Sequence, residues 1–191
     1  EEEAGYLMER LKKIDTISFS KLFPEELKDF DIRYVGEDAI LESGTARRVL
    51  AQVPQQMLQS FAAEGWTLYL TTEPIRTFYP QYPEATGLTD SKTKAVYVYV
   101  SSSFLYSSAD TLLHEFGHFL QHQLGECFER EIKDAYEKEA SWIKKVSGGS
   151  YGTKSDREFF AEAFRVYVQQ GLANDVKIHD IIDKMLTSMI K

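Results

Sequence analysis

The stretch TLLHEFGHFL, residues 111–120, constrains the fold of this chain more than any other. Read as a helix, it is apolar around most of its circumference through Thr111, Leu112, Leu113, Phe116, Phe119 and Leu120, and a helix of that kind is buried. Yet it also carries His114, Glu115 and His118, polar groups that need partners once water is removed. Residues four apart lie nearly one above the other on a helix, so the two imidazoles aim at one point. Such a pair suits a zinc ion, and Glu115 beside the first would reach a metal-bound water as general base. The simpler alternative is a pair of hydrogen-bonded core histidines.

The rest of the composition narrows the options. At 191 residues, with 43% hydrophobic and 13% aromatic side chains, the chain has ample material for a core. A net charge of −8 argues against nucleic acid or an anionic membrane as the main partner. No apolar run approaches the roughly 20 residues of a membrane span. The single cysteine, Cys127, excludes an internal disulfide and a cysteine-rich zinc module. The first residues, EEEAGY, do not read as a signal peptide.

Along the chain, residues 3–13 have the spacing of an amphipathic helix, and Pro24 opens a short helix through Phe30. Residues 31–35 read as a strand and 36–44 as loop or partly helical. Pro54 fits the first turn of a helix ending at Gly65, followed by a strand at 66–71. Residues 73–94, with three of the five prolines, read as a long connection. AVYVYV at 95–100 is a strongly β-branched and aromatic strand. From Ala109 onward the chain reads as helical: the H-E-x-x-H helix, then 128–146, 156–170 and 175–190, with a glycine loop at 148–152. The expectation is an α+β fold over residues 1–191 as a single domain, with a small mixed sheet in the N-terminal half and a mainly helical C-terminal half.

A catalytic zinc site needs a third protein ligand. The pattern H-E-x-x-H-x-x-G-x-x-H would place glycine at 121 and histidine at 124, where this chain has Gln121 and Leu124. His122 lies one turn too far along the axis, and His179, in a charged C-terminal helix, reads as a surface residue. Glutamate is therefore the expected third ligand. Glu137 and Glu139 have charged neighbours that suggest a solvated face. Glu158 and Glu162, in EFFAEAF, sit among large apolar residues, and buried carboxylates demand a cation or several donors. One would bind metal while the other bonds a ligand histidine. Ser155 and Glu158 also form a capping-box pattern, in which case Glu162 would be the ligand.

HEFGH, followed across a helix and a glycine loop by SYG and then EFFAEAF, resembles the catalytic domain of the anthrax lethal factor family, which includes the small secreted Pro-Pro endopeptidases. The likeness covers about residues 111–168, with a weaker echo in GWTLYLT at 65–71. It implies an active-site helix of the zincin kind, one zinc ion per chain bound by His114, His118 and Glu158, Glu115 as base, and Tyr151 as a catalytic assistant. Glu162 would then support a ligand. It further implies a secreted zinc metalloendopeptidase acting on proline-rich peptide or protein, with a monomer favoured. The alternatives are a toxin-like protease domain that cleaves host signalling proteins, or a degenerate binding domain. Substrate is expected to lie extended along a strand edge within 86–100. Tyr79, Tyr82, Tyr97, Tyr99, Phe104 and Tyr106 are available as an aromatic surface for two proline rings.

Overall fold

The computed structural model describes residues 30–101 and 107–189. The helix expected at 3–13, and all but the last residue of the one expected from Pro24, lie outside them. Three parallel strands form the body of a mixed four-stranded sheet: β1 (Asp31–Val35), β2 (Thr67–Thr71) and β4 (Ala95–Tyr99). The fourth, β3 (Gly87–Asp90), runs antiparallel to β4 at the sheet edge, in the order β1-β2-β4-β3. It lies within the stretch expected to be a plain connection. GLTD has little intrinsic preference for a strand. It becomes one because a tight turn, in which Asp90 accepts a hydrogen bond from the Lys92 amide at 2.9 Å, folds it back onto the strongly strand-forming β4.

Between β1 and β2 lie three helices: α1 (Ala39–Glu42), α2 (Gly44–Leu50) and α3 (Gln55–Ala63). The period of two sorts the strands into faces. Leu68 pairs with Val96 and Leu70 with Val98, and all four are fully buried beneath the helices. Burial of each such side chain contributes about 1.5–3 kcal/mol. Tyr69 and Tyr97 point the other way, stacked at 4.6 Å, with the Arg33 guanidinium 5.8 Å from the Tyr69 ring. At the centre of the buried side, Phe61 touches Phe30, Trp66, Phe116 and Phe119, with ring centroids 5.0–5.7 Å apart.

The C-terminal half is helical: α4 (Ser108–Ser147), α5 (Asp156–Gln170) and α6 (Lys177–Ser188). The H-E-x-x-H helix expected from Ala109 and the one expected at 128–146 are one helical run. A straight helix of 40 residues would be about 60 Å long. Yet Arg165 of α5 bonds Asp110 at one end of α4 and the Ser147 carbonyl at the other, at 3.3 and 2.8 Å. α4 therefore reverses direction between His118 and Tyr136, and its two arms both lie along α5. His114 and His118 of the first arm meet Glu158, while Tyr136 of the second packs its ring 5.7 Å from Phe159. The first arm approaches α5 closely at Gly117, where an added β-carbon would come 2.7 Å from the Ala161 Cα.

Two expectations for surface residues are corrected. Glu139 does not lie on a solvated face: its carboxylate caps α6, accepting from the amides of Lys177 and Ile178 at 2.7 and 3.0 Å. His179 is not a plain surface residue either. Its side chain is 17% exposed and lies between the Tyr167 ring, at 5.3 Å, and Asp183.

Candidate metal centre and its cleft

Ser107 caps the first arm of α4 by accepting from the Asp110 amide at 3.1 Å, and Ser155 caps α5 by accepting from the Glu158 amide at 3.2 Å. Only half of the capping-box pattern is realised, because the Glu158 side chain turns away from Ser155 toward the histidines. Its Oε2 lies 3.0 Å from His114 Nε2 and 3.7 Å from His118 Nε2. Donor atoms arranged tetrahedrally at about 2.0–2.1 Å from a zinc ion lie roughly 3.3 Å from one another, so these separations bracket the required span. All three donors lie within 4.8 Å of one another. Two imidazoles and a carboxylate are a donor set suited to a divalent transition metal.

His114 is held from behind. Its Nδ1 lies 2.8 Å from Glu162 Oε1, and an Nδ1–H donated there leaves the Nε2 lone pair directed at Glu158. Glu162 in turn accepts from Arg165 Nη2 at 2.9 Å. Burial opposes a charge on His114, but hydrogen bonds to Glu158 and Glu162 outweigh it and push its pKa up to about 10. Burial also opposes ionisation of Glu158 and Glu162. Their bonds to the histidines and, for Glu162, to Arg165 nevertheless hold both below the usual carboxylate range. Without metal, the protonated His114 ring thus lies between the carboxylates of Glu162, at Nδ1, and Glu158, at Nε2, and its Nε2 proton stands where a cation would sit.

Glu115 is 5% exposed and lies against the edge strand. Thr89 of β3 donates its hydroxyl to Glu115 Oε2 at 2.7 Å, and Gly87 allows the carboxylate to come so near that a β-carbon there would meet Oε1 at 2.5 Å. Tyr151 opens a single turn, Tyr151–Thr153, just after Gly148, whose φ of 73° ends α4 in the left-handed conformation glycine favours. Its ring lies 6.0 Å from that of His114, edge-on, with Lys154 Nζ 3.4 Å from the ring centroid. These groups border a cleft of about 710 Å³, with β3 and the 82–92 segment on one side and Gly148, Gly149, Tyr151, Arg157 and Glu158 on the other.

The structure thus brings together His114, Glu115, His118, Tyr151 and Glu158, the residues singled out from the sequence, around one cleft. His122 is set apart, its ring 5.6 Å from Trp66. Of the aromatic side chains considered for proline, Tyr82 borders the cleft, while Tyr79 and Tyr97 pack on each other across the outer sheet face. Phe104 and Tyr106 lie outside the described residues. Thr89, Gly87 and Arg165 were not singled out. Only Arg165 left a signal: it is a cation in the apolar run FFAEAFRVYV, three residues after Glu162, and a charge in that setting needs a counter-charge. No protein-family model matches the chain, and a search of curated proteins returns no match either.

Proposed function

We propose that the chain is a zinc-dependent metalloendopeptidase, with one zinc ion held by His114, His118 and Glu158, that hydrolyses extended peptides between two prolines. The observation that carries the reading is the convergence of two imidazoles and a carboxylate within 4.8 Å, beside the carboxylate of Glu115, in a cleft walled by an edge strand. Bound there, zinc would acidify a water and polarise a carbonyl. The first arm of α4 then serves as an active-site helix of the zincin kind.

The chain's own groups supply the remaining steps. Thr89 holds Glu115 Oε2, which leaves Oε1 to take the proton of the attacking water and return it to the leaving amine. Tyr151 would donate a hydrogen bond from its phenol to the oxygen that gains charge as the carbonyl becomes tetrahedral. β3 offers backbone groups to a peptide added as a further strand. The preference for proline, and secretion, are supported by the resemblance in HEFGH and EFFAEAF. Proline lacks an N–H and fixes φ near −65°, so the subsite after the cut must not rely on that hydrogen bond.

The test is digestion of a peptide library by zinc-loaded protein with intact-mass analysis of the products. Peptides of the form x-x-Pro-Pro-x-x are expected to be cut at the central bond, with activity lost on chelation and restored by zinc. Efficient cutting at sites without proline would overturn the specificity, and no cutting at all would overturn the enzyme.

A further inference from the structure

Arg165 is the most heavily engaged side chain near the site, and none of the chemistry above uses it. It is 8% exposed, on the face of α5 between the two arms of α4. Nη2 donates to Glu162 Oε2 at 2.9 Å and to the Ser147 carbonyl at 2.8 Å. Nη1 lies 3.3 Å from both Asp110 Oδ1 and Gln169 Oε1, and Gln169 Nε2 donates to the same Asp110 oxygen at 2.6 Å. Ser147 is the last residue before the glycine loop that carries Tyr151. The turn at Tyr151–Thr153 also rests on Glu162: a β-carbon on Gly152 would lie 3.4 Å from the Glu162 Cβ.

We infer that Arg165 is a positioning residue that sets the metal-facing nitrogen of His114 and the loop bearing Tyr151 from a single guanidinium. One branch runs through Glu162 to His114 Nδ1, the other through the Ser147 carbonyl to the start of the loop. The planar fork suits this task, because its N–H groups point in fixed directions and reach acceptors on both arms of α4 at once. A lysine ammonium keeps the charge beside Glu162 but cannot span the same set. The inference rests on the metallopeptidase reading for the role of Tyr151, and on geometry alone for the link between loop and ligand.

The test compares wild type with Arg165→Lys and Arg165→Gln by three readouts. Zinc affinity, from competition with a chromophoric chelator, is expected to fall 10- to 100-fold, the usual effect of removing a group that orients a ligand. Hydrogen exchange should quicken at the amides of residues 148–153 while those of the sheet keep wild-type rates. Tyr151→Phe should slow turnover about 10²-fold in the wild-type background and scarcely at all in the Arg165 variants, since the phenol is already misplaced there. If the variants show only a lower unfolding midpoint, with zinc affinity and loop exchange as in wild type, the inference is overturned. Should Arg165→Gln not fold, Arg165→Lys, which keeps the buried charge, is read in the same way. If wild type binds zinc but cuts no peptide, the peptidase reading fails, and the affinity and exchange measurements still decide the role of Arg165.

Discussion

Gly117 and Ala161 meet so closely that no β-carbon fits between the first arm of α4 and α5 at that point, since one placed on Gly117 would stand 2.7 Å from the Ala161 Cα. The contact lies one residue from His118 and three from Glu158, so the helix spacing also sets the spacing of these candidate ligands. Gly117→Ala should push the helices apart and destabilise the protein by about 1–3 kcal/mol, the usual range for overpacking a core. Metal affinity should fall as well, because the carboxylate retreats from the imidazoles. Urea unfolding of metal-free protein and chelator competition measure the two effects separately, and an unchanged affinity would show that the ligands tolerate the shift.

Glu158 and Glu162 should respond in opposite orders to the same substitution. Glu158→Ala removes a donor and should weaken zinc binding more than Glu162→Ala does. Glu162→Ala leaves the buried Arg165 guanidinium with Asp110 as its carboxylate partner, so the loss of stability should fall below the roughly 3–5 kcal/mol of an uncompensated buried charge. Zinc stoichiometry and chemical denaturation of both variants check this, and a larger affinity loss for Glu162→Ala would make Glu162 the ligand.

On the proposed reading, Glu115→Ala should retain fold and zinc yet lose nearly all turnover, because the proposed ligands would remain and the proposed proton acceptor would be gone. Single-turnover kinetics on a Pro-Pro peptide, alongside metal analysis of the same preparation, test it. Turnover near the wild-type rate would remove Glu115 from the chemistry.

The pH dependence follows from His114. Its folded pKa of about 10 lies above the ordinary value of 6.5, so the folded state holds the proton more tightly than the unfolded chain. In the metal-free protein this stabilisation is complete below about pH 6.5 and disappears as pH rises through 10. Glu158 and Glu162, whose folded values are lowered, contribute stability above the ordinary value of 4.5 that is lost as pH falls below it. The urea midpoint of metal-free protein should therefore decline between pH 6.5 and 10. Loading with zinc must displace the His114 proton, so calorimetric titration in buffers of different ionisation enthalpy should report proton release at neutral pH. A flat stability profile with no proton release would mean that His114 is already neutral.

Much of this arrangement was legible in the sequence where the signal is local. AVYVYV alternates between core and outer face, EFFAEAF is apolar enough to make its carboxylates conspicuous, and the helical spacing of His114 and His118 fixes their direction. What escaped depends on approaches between distant segments. β3 is a strand only through its pairing with β4, and Thr89 matters only because that strand crosses Glu115. The sequence reads as two successive helices where the structure has one helical run, and the reversal within it shows only in the contacts that both arms make with α5. Glu139, a carboxylate among charged neighbours, reads as solvated in the sequence because nothing local shows that α6 brings its first amides to it.

β3 lies at the rim of the sheet and inside the cleft at once. A rim strand adds only a stretch of chain whose own amides and carbonyls are unengaged for several residues in a row. Segments already committed to a helix or an interior strand cannot meet that condition without first unfolding. If the chain is the peptidase proposed above, susceptibility of a target would follow its local disorder more than its surface exposure, directing the cut to linkers and tails and leaving compact domains whole. A Pro-Pro pair tends to lie in such places, because it resists incorporation into either kind of regular structure.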